Sequence, residues 1–123
     1  MMERYREKLA YGYKFCLYPE GTADEAVYMP DYDDSAWQTV RVPHDWAADG
    51  EFCMENDISR GESVDFTGEI IRFCGRTGAL PTVGMGVYRR WIDIAEADQG
   101  RQITVEFDGV MWESHIYVNG KHV

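Results

Sequence analysis

Nowhere in this chain do apolar residues recur at i, i+3, i+4 and i+7 over a helix-length window. Short stretches instead alternate apolar and polar residues with a period of two, and Gly- or Pro-containing turns separate them. That pattern excludes a helical bundle and predicts a β-structure whose strands each present one face to a core. In RQITVEFDG (101–109), Ile103, Val105 and Phe107 are expected inward, with Thr104, Glu106 and Asp108 outward. VYRRWIDI (87–94) places Tyr88, Arg90, Ile92 and Ile94 on one face and Arg89, Trp91 and Asp93 on the other. Large aromatics stand on both sides there, so pattern does not choose the buried face. YGYKFCLY (11–18) and WQTVRV (37–42) are further strands rich in aromatic and β-branched residues, and GEIIRFCG (68–75) is a shorter one. The fold class is all-β, an antiparallel β-sandwich or barrel.

The connections carry their own signals. PEGTADEAVYMPDYDDSA (19–36) is acidic and turn-rich, and Asp33, Asp34 and Ser35 are placed to cap one short helical turn before Trp37. Residues 47–86 are dominated by Gly, Asp, Glu, Ser and Thr and are expected to form a long loop region, which in a compact domain is functional or steadied by a partner. Near the end, Asn119-Gly120 follows the alternating His115, Ile116, Tyr117 and Val118. It is a strong signal for a two-residue hairpin turn, because both positions need positive φ. A returning strand of matching length is expected, yet Lys121, His122 and Val123 are all that follow.

At 123 residues the chain has the size of one domain. Its 12 basic residues against 22 acidic ones give a formal charge of -10, which repels phosphate backbones and anionic membranes. Nucleic acid and membrane partners are therefore not expected; a neutral ligand such as a sugar fits better. No run of eighteen apolar residues would span a bilayer. The charged start MMERYREKLAYGYKF has no apolar segment of the secretory kind. Cys16, Cys53 and Cys74 are odd in number and widely spaced, so reduced buried thiols and a cytoplasmic location are expected.

Chemistry-bearing motifs are sparse. VPHDW (42–46) is the most concentrated, and three readings of it stand side by side. Its Pro43 suits a strand end, and the motif reads as a corner that closes the strand and buries Trp46. His44 and Asp45 could be a base and its orienting carboxylate, but neighbours in extended chain point to opposite faces. The third reading is ligand contact by His44, Asp45 and Trp46. Glycoside hydrolysis needs two carboxyls about 5–5.5 Å or about 6.5–9.5 Å apart; Glu51, Glu55, Asp57, Asp33 and Asp34 read as solvated loop charges instead. His44, His115 and His122 lack metal-site spacing such as HExxH, so no metal is expected. GRTGALPTVGMG (75–86) matches no nucleotide-binding glycine motif, and no cofactor is expected. Its glycines permit tight turns beside a neighbouring surface. The 17 aromatics could pack a core or stack on the C–H faces of sugars.

Four segments in order resemble one family: YGYKF, YDDSAWQTVRVPHDW, GALPTVGMGVYRRWIDI and RQITVEFDGVMWESHIYVNGKHV. The shared pattern is D-D-x-x-W running into P-H-D-W, then L-P and glycines before Y-R-[RK], then F-[DE]-G-V and V-N-G. This is similar to the N-terminal domain of glycoside hydrolase family 2, the β-galactosidase and β-glucuronidase group. The resemblance implies that residues 1–123 are a single galactose-binding-like jelly roll, incomplete because its final strands are missing. It implies an immunoglobulin-like domain and a catalytic TIM barrel as partners, with β-glycosides, most of all β-galactosides, as substrates. It places both catalytic glutamates in the barrel, so no catalytic residue is assigned here. A free-standing carbohydrate-binding module is the alternative.

Loss of closing strands would expose core positions such as Ile116, Val118 and Phe107. Each forfeits about 1.5–3 kcal/mol of burial, against total stabilities of about 5–15 kcal/mol. The isolated chain is therefore expected to be marginal and aggregation-prone, or to form a homo-oligomer through its open edge. Light scattering and thermal melts check this; a monomer melting sharply above about 60 °C would contradict it.

Overall fold

The computed structural model describes residues 4–51, 61–73, 83–110 and 113–123. Among them are seven β-strands, all paired antiparallel, and three short 3-10 turns; none is in an α-helix. The all-β expectation therefore holds. β1 (Tyr13–Tyr18) is the centre of a three-stranded sheet, flanked by β2 (Gln38–Val40) and β5 (Met85–Arg89). Phe15 stands opposite Gln38 on one side and Tyr88 on the other. β3 (Gly61–Val64) pairs with β4 (Ile70–Phe73), and β6 (Tyr117–Val118) with β7 (Lys121–His122).

Both faces of the three-stranded sheet are covered, each for its own reason. Residues directly opposite on paired strands share a face, so Phe15 and Tyr88 lie together. Phe15 is 5% exposed and meets the rings of His44, Tyr88 and Trp46 at 4.6, 4.8 and 5.9 Å between centroids. Gly86 sits under the same cluster. A Cβ there would come within 2.7 Å of the Trp46 ring and 3.0 Å of the Phe15 ring. The opposite face carries Arg89 and receives the 24–37 connection. Val27, in the 3-10 turn Glu25–Tyr28, is buried there. Arg89 Nε donates to Asp34 Oδ2 at 2.8 Å, and Nη1 donates to the carbonyls of Val27 and Met29. The guanidinium also lies 5.4 Å from the centre of the Tyr32 ring.

Several expectations are corrected. Asp34 is not a solvated loop charge: its side chain is 20% exposed and that of Arg89 13%. Asp33, Asp34 and Ser35 form one capped turn before Trp37 as expected, though it is too short to be a helix. Asp33 accepts from Ser35 N at 3.0 Å, and Trp37 N donates to Asp34 O at 2.9 Å, which closes one turn directly before β2. The region 47–86 is not wholly loop, because β3 and β4 form a hairpin inside it. That hairpin closes through Asp65, whose carboxylate accepts from Thr67 N, Thr67 Oγ1 and Glu69 N, which holds its pKa below the usual value. Such side-chain turns are local and easily hidden in a polar sequence.

The strand expected over 87–94 ends at Arg89, and 101–109 is not a strand at all. Ile103, Val105 and Phe107, expected inward, are each about half exposed (52%, 51% and 53%). Alternation defines a face only relative to a partner, and no described strand pairs with this segment. The Asn119-Gly120 turn forms as expected, with φ of 50° and 79°. Val123 N closes it on Ile116 O at 2.9 Å. Tyr117 stacks on Tyr28 at 4.2 Å, anchoring this hairpin to the 24–37 connection.

Arg90 contrasts with Arg89. It lies over the Tyr13 ring at 5.3 Å, but its buried Nε and Nη1 have no hydrogen-bond partner among the described residues. Removing one member of a buried pair strands the other, whereas truncating a guanidinium with two unsatisfied buried nitrogens relieves their desolvation and loses only its ring contact. Arg89→Met is therefore expected to cost about 3 kcal/mol in urea denaturation, and Arg90→Met to be neutral or stabilising. Gly86→Ala should cost about 1–3 kcal/mol by overpacking Trp46 and Phe15. Gly109→Ala, which meets nothing within 4 Å, should change stability by less than about 0.5 kcal/mol.

Candidate functional site

β1 has six residues and β2 three, so beyond Phe15 the β2 side of β1 has no ladder partner in that sheet. A recess of about 430 Å³ opens there. Cys16 and Leu17 of β1 line it, with Trp37 and Gln38 on one side and His44, Trp46 and Asp49 on the other. Trp37 is held by Tyr18 and Tyr32, at centroid distances of 6.3 and 5.6 Å. Trp46 is held at a 20° interplanar angle to Phe15. Two indole groups are thus fixed around a recess whose polar side chains are those of Gln38, His44 and Asp49. Flat apolar surfaces with a few polar handles are the usual composition of a small-molecule pocket.

The VPHDW corner supplies half of these groups, and its internal geometry separates its three sequence readings. The Val42–Pro43 bond is cis, and Val42 N donates to Ala10 O at 2.8 Å. His44 turns inward, with Nδ1 2.8 Å from the Tyr88 hydroxyl. Asp45 is exposed and caps the 3-10 turn Trp46–Asp49 by accepting from Ala47 N at 3.0 Å. The carboxylate is committed to a backbone N–H, and the imidazole to a phenol. His44 and Asp45 therefore do not form a catalytic dyad, as their alternation along extended chain foretold. The corner closes the strand end, and Trp46 is half-buried as part of it.

Tyr88 is the residue that the sequence reading missed. Its hydroxyl is tied to His44, and its pKa is raised, first by burial and then by the negative charge of Asp45. At neutral pH it is a protonated phenol within hydrogen-bond distance of His44 Nδ1. Tyr18, on the opposite face of β1, is pushed up to about 12, mainly by burial and then by Cys16 and Tyr32. The signal for Tyr88 was its place in Y-R-R, but only strand pairing shows that it stands beside Phe15.

Asp49 is the one carboxylate among the described residues lining the recess. Glu51 is exposed, while Glu55 and Asp57 lie outside the described residues. Cys16 is a free, half-buried thiol, and Cys53 and Cys74 also lie outside the described residues. Among the described residues no group of three or more His, Cys, Asp or Glu is gathered for a metal ion. No helix there is long and apolar enough to cross a membrane.

No protein-family model matches the chain, and no solved structure does. Curated relatives do. The β-galactosidase BoGH2A of Bacteroides ovatus is 35% identical over 92 residues, which is 75% of this chain and 9% of that protein. A β-galactosidase of Vibrio cholerae is 30% identical over 120 residues, 96% of this chain and 11% of that protein. A putative β-glucuronidase of Formosa agariphila is 28% identical over 91 residues, 74% of this chain and 7% of that protein. The chain thus spans about a tenth of the length of the relatives it matches. With an all-β fold, and with VPHDW and Y-R-R meeting at one aromatic cluster, the chain is similar over most of its own length to a short segment of β-galactosidases and β-glucuronidases.

Proposed function

We propose that this chain is an N-terminal, jelly-roll domain of a family 2 glycoside hydrolase of the β-galactosidase type, and that its work is structural. It packs against a catalytic barrel and an immunoglobulin-like domain and shapes one wall of the sugar site. The observation that carries this reading is the match over most of the chain to enzymes roughly ten times its length. Exposed apolar side chains along Trp91–Phe107 are in keeping with a domain that meets further protein. Among the described residues one carboxylate lines the recess, whereas glycoside hydrolysis uses a facing pair. In this reading the catalytic glutamates stand in the barrel, the enzyme acts in the cytoplasm, and this domain needs no cofactor.

A free-standing carbohydrate-binding module is the second reading, favoured by the recess between Trp37 and Trp46. Of the residues singled out for sugar contact, His44 and Trp46 line that recess, while the Asp45 carboxylate is occupied as a cap. Calorimetry with galactose, lactose and glucuronides, beside a chromogenic β-galactoside assay, separates the readings. The structural domain should give neither heat at millimolar sugar nor hydrolysis. Heat that disappears in Trp46→Ala would favour the binding module. Hydrolysis by the 123-residue chain would overturn both.

A further inference from the structure

The β6–β7 hairpin brings together two imidazoles that the sequence leaves seven positions apart. Tyr117 is directly opposite His122, so their side chains share a face. His115 precedes Tyr117 by two residues, and the period-two pleat points it to that same face, diagonal to His122. The ring nitrogens His115 Nδ1 and His122 Nε2 come within 3.3 Å. On the other side of the His115 ring, Nε2 is 3.0 Å from Glu113 Oε1. The Asn119-Gly120 turn and the Tyr28–Tyr117 stack hold the hairpin in place, and a Cβ on Gly120 would come within 2.8 Å of Met29 Sδ.

We propose that His115 and His122 are a chelating pair for a divalent transition metal of the zinc class, with Glu113 orienting His115. Two nitrogens each bound at about 2.0–2.1 Å in a tetrahedral zinc site stand about 3.3–3.4 Å apart, the separation already present. A carboxylate on the far nitrogen fixes the proton at Nε2 and turns the lone pair of Nδ1 toward the metal, the arrangement by which histidine ligands are commonly steered. Without metal, a hydrogen bond between the two rings needs one proton between Nδ1 and Nε2. With His115 protonated at Nε2, that proton sits on His122 Nε2. Metal binding moves it to His122 Nδ1, so both rings bind as neutral imidazoles with no net proton released, and acid competes with the metal for the ring nitrogens. The His115 side chain is 56% exposed, which leaves the remaining coordination positions to water or to a ligand from outside the hairpin. A metal held there links the strands on either side of the turn and stabilises the hairpin by mass action.

The test is a Zn²⁺ titration of the whole chain, followed by long-range ¹H–¹⁵N correlation of the histidine rings. His115 Nδ1 and His122 Nε2 are expected to shift together and saturate at one ion per chain, with the His44 ring unmoved. Thiol binding would leave these ring signals in place, so the readout separates the two. His122→Gln should weaken the response at least tenfold, and Glu113→Gln about tenfold. The Tyr28–Tyr117 ring contact reports that the hairpin is still formed in each variant. Ring signals that stay in place at millimolar Zn²⁺, or that respond equally in His122→Gln, would overturn the assignment.

Discussion

Phe15 stands at the meeting of three parts of the chain, and its burial holds them in register. It belongs to β1, faces Tyr88 of β5, and carries the His44 and Trp46 rings of the VPHDW corner. Burying an aromatic side chain contributes about 1.5–3 kcal/mol, and aromatic pairs about 0.5–1.5 kcal/mol more. No other described cluster joins so many separate segments. The glycine at position 86 belongs to the same constraint, since a larger residue would push the Trp46 ring away. The position of Trp46, and with it the shape of the recess, follows from what Phe15 and Gly86 allow.

The other face of the sheet is organised by charge. Arg89 reaches from β5 to Asp34 and to two backbone carbonyls, so one guanidinium ties the 24–37 connection to the sheet. In a chain with 22 acidic and 12 basic residues, a largely buried cation with matched acceptors is well supported. The planar fork suits this task because it satisfies a carboxylate and carbonyls at once. That connection also places Trp37, through the turn closed by Asp34, so both indoles beside the recess depend on contacts made behind it. Unequal strand lengths then open the recess: β2 stops while β1 continues. The result is a fixed aromatic surface beside a strand edge.

Much of this was legible in residues alone. Strands at 13–18, 38–40 and 70–73, the 87–89 part of β5, and the turn at Asn119-Gly120 follow from alternation, β-branched content and a dipeptide with a particular φ requirement. The separation of His44 from Asp45 follows from the two-residue period of extended chain. The family resemblance rested on motif order, and the relatives matched over most of the chain agree with it. What failed was inward assignment by alternation at Ile103, Val105 and Phe107, where no described strand supplies a partner. The status of Asp34 failed for a similar reason, because a carboxylate in a polar loop looks the same whether or not an arginine 55 positions away reaches it.

Sequence by itself determined the local conformations: an all-β chain, its principal strands, its glycine turns and the extended geometry of VPHDW. These depend on backbone sterics and on neighbours a few residues apart. Only the tertiary structure decided which side chains meet: Tyr88 with His44, Asp34 with Arg89, Trp46 with Gly86, and His115 with His122. Those meetings depend on register and on the packing of distant segments, quantities that no local pattern carries.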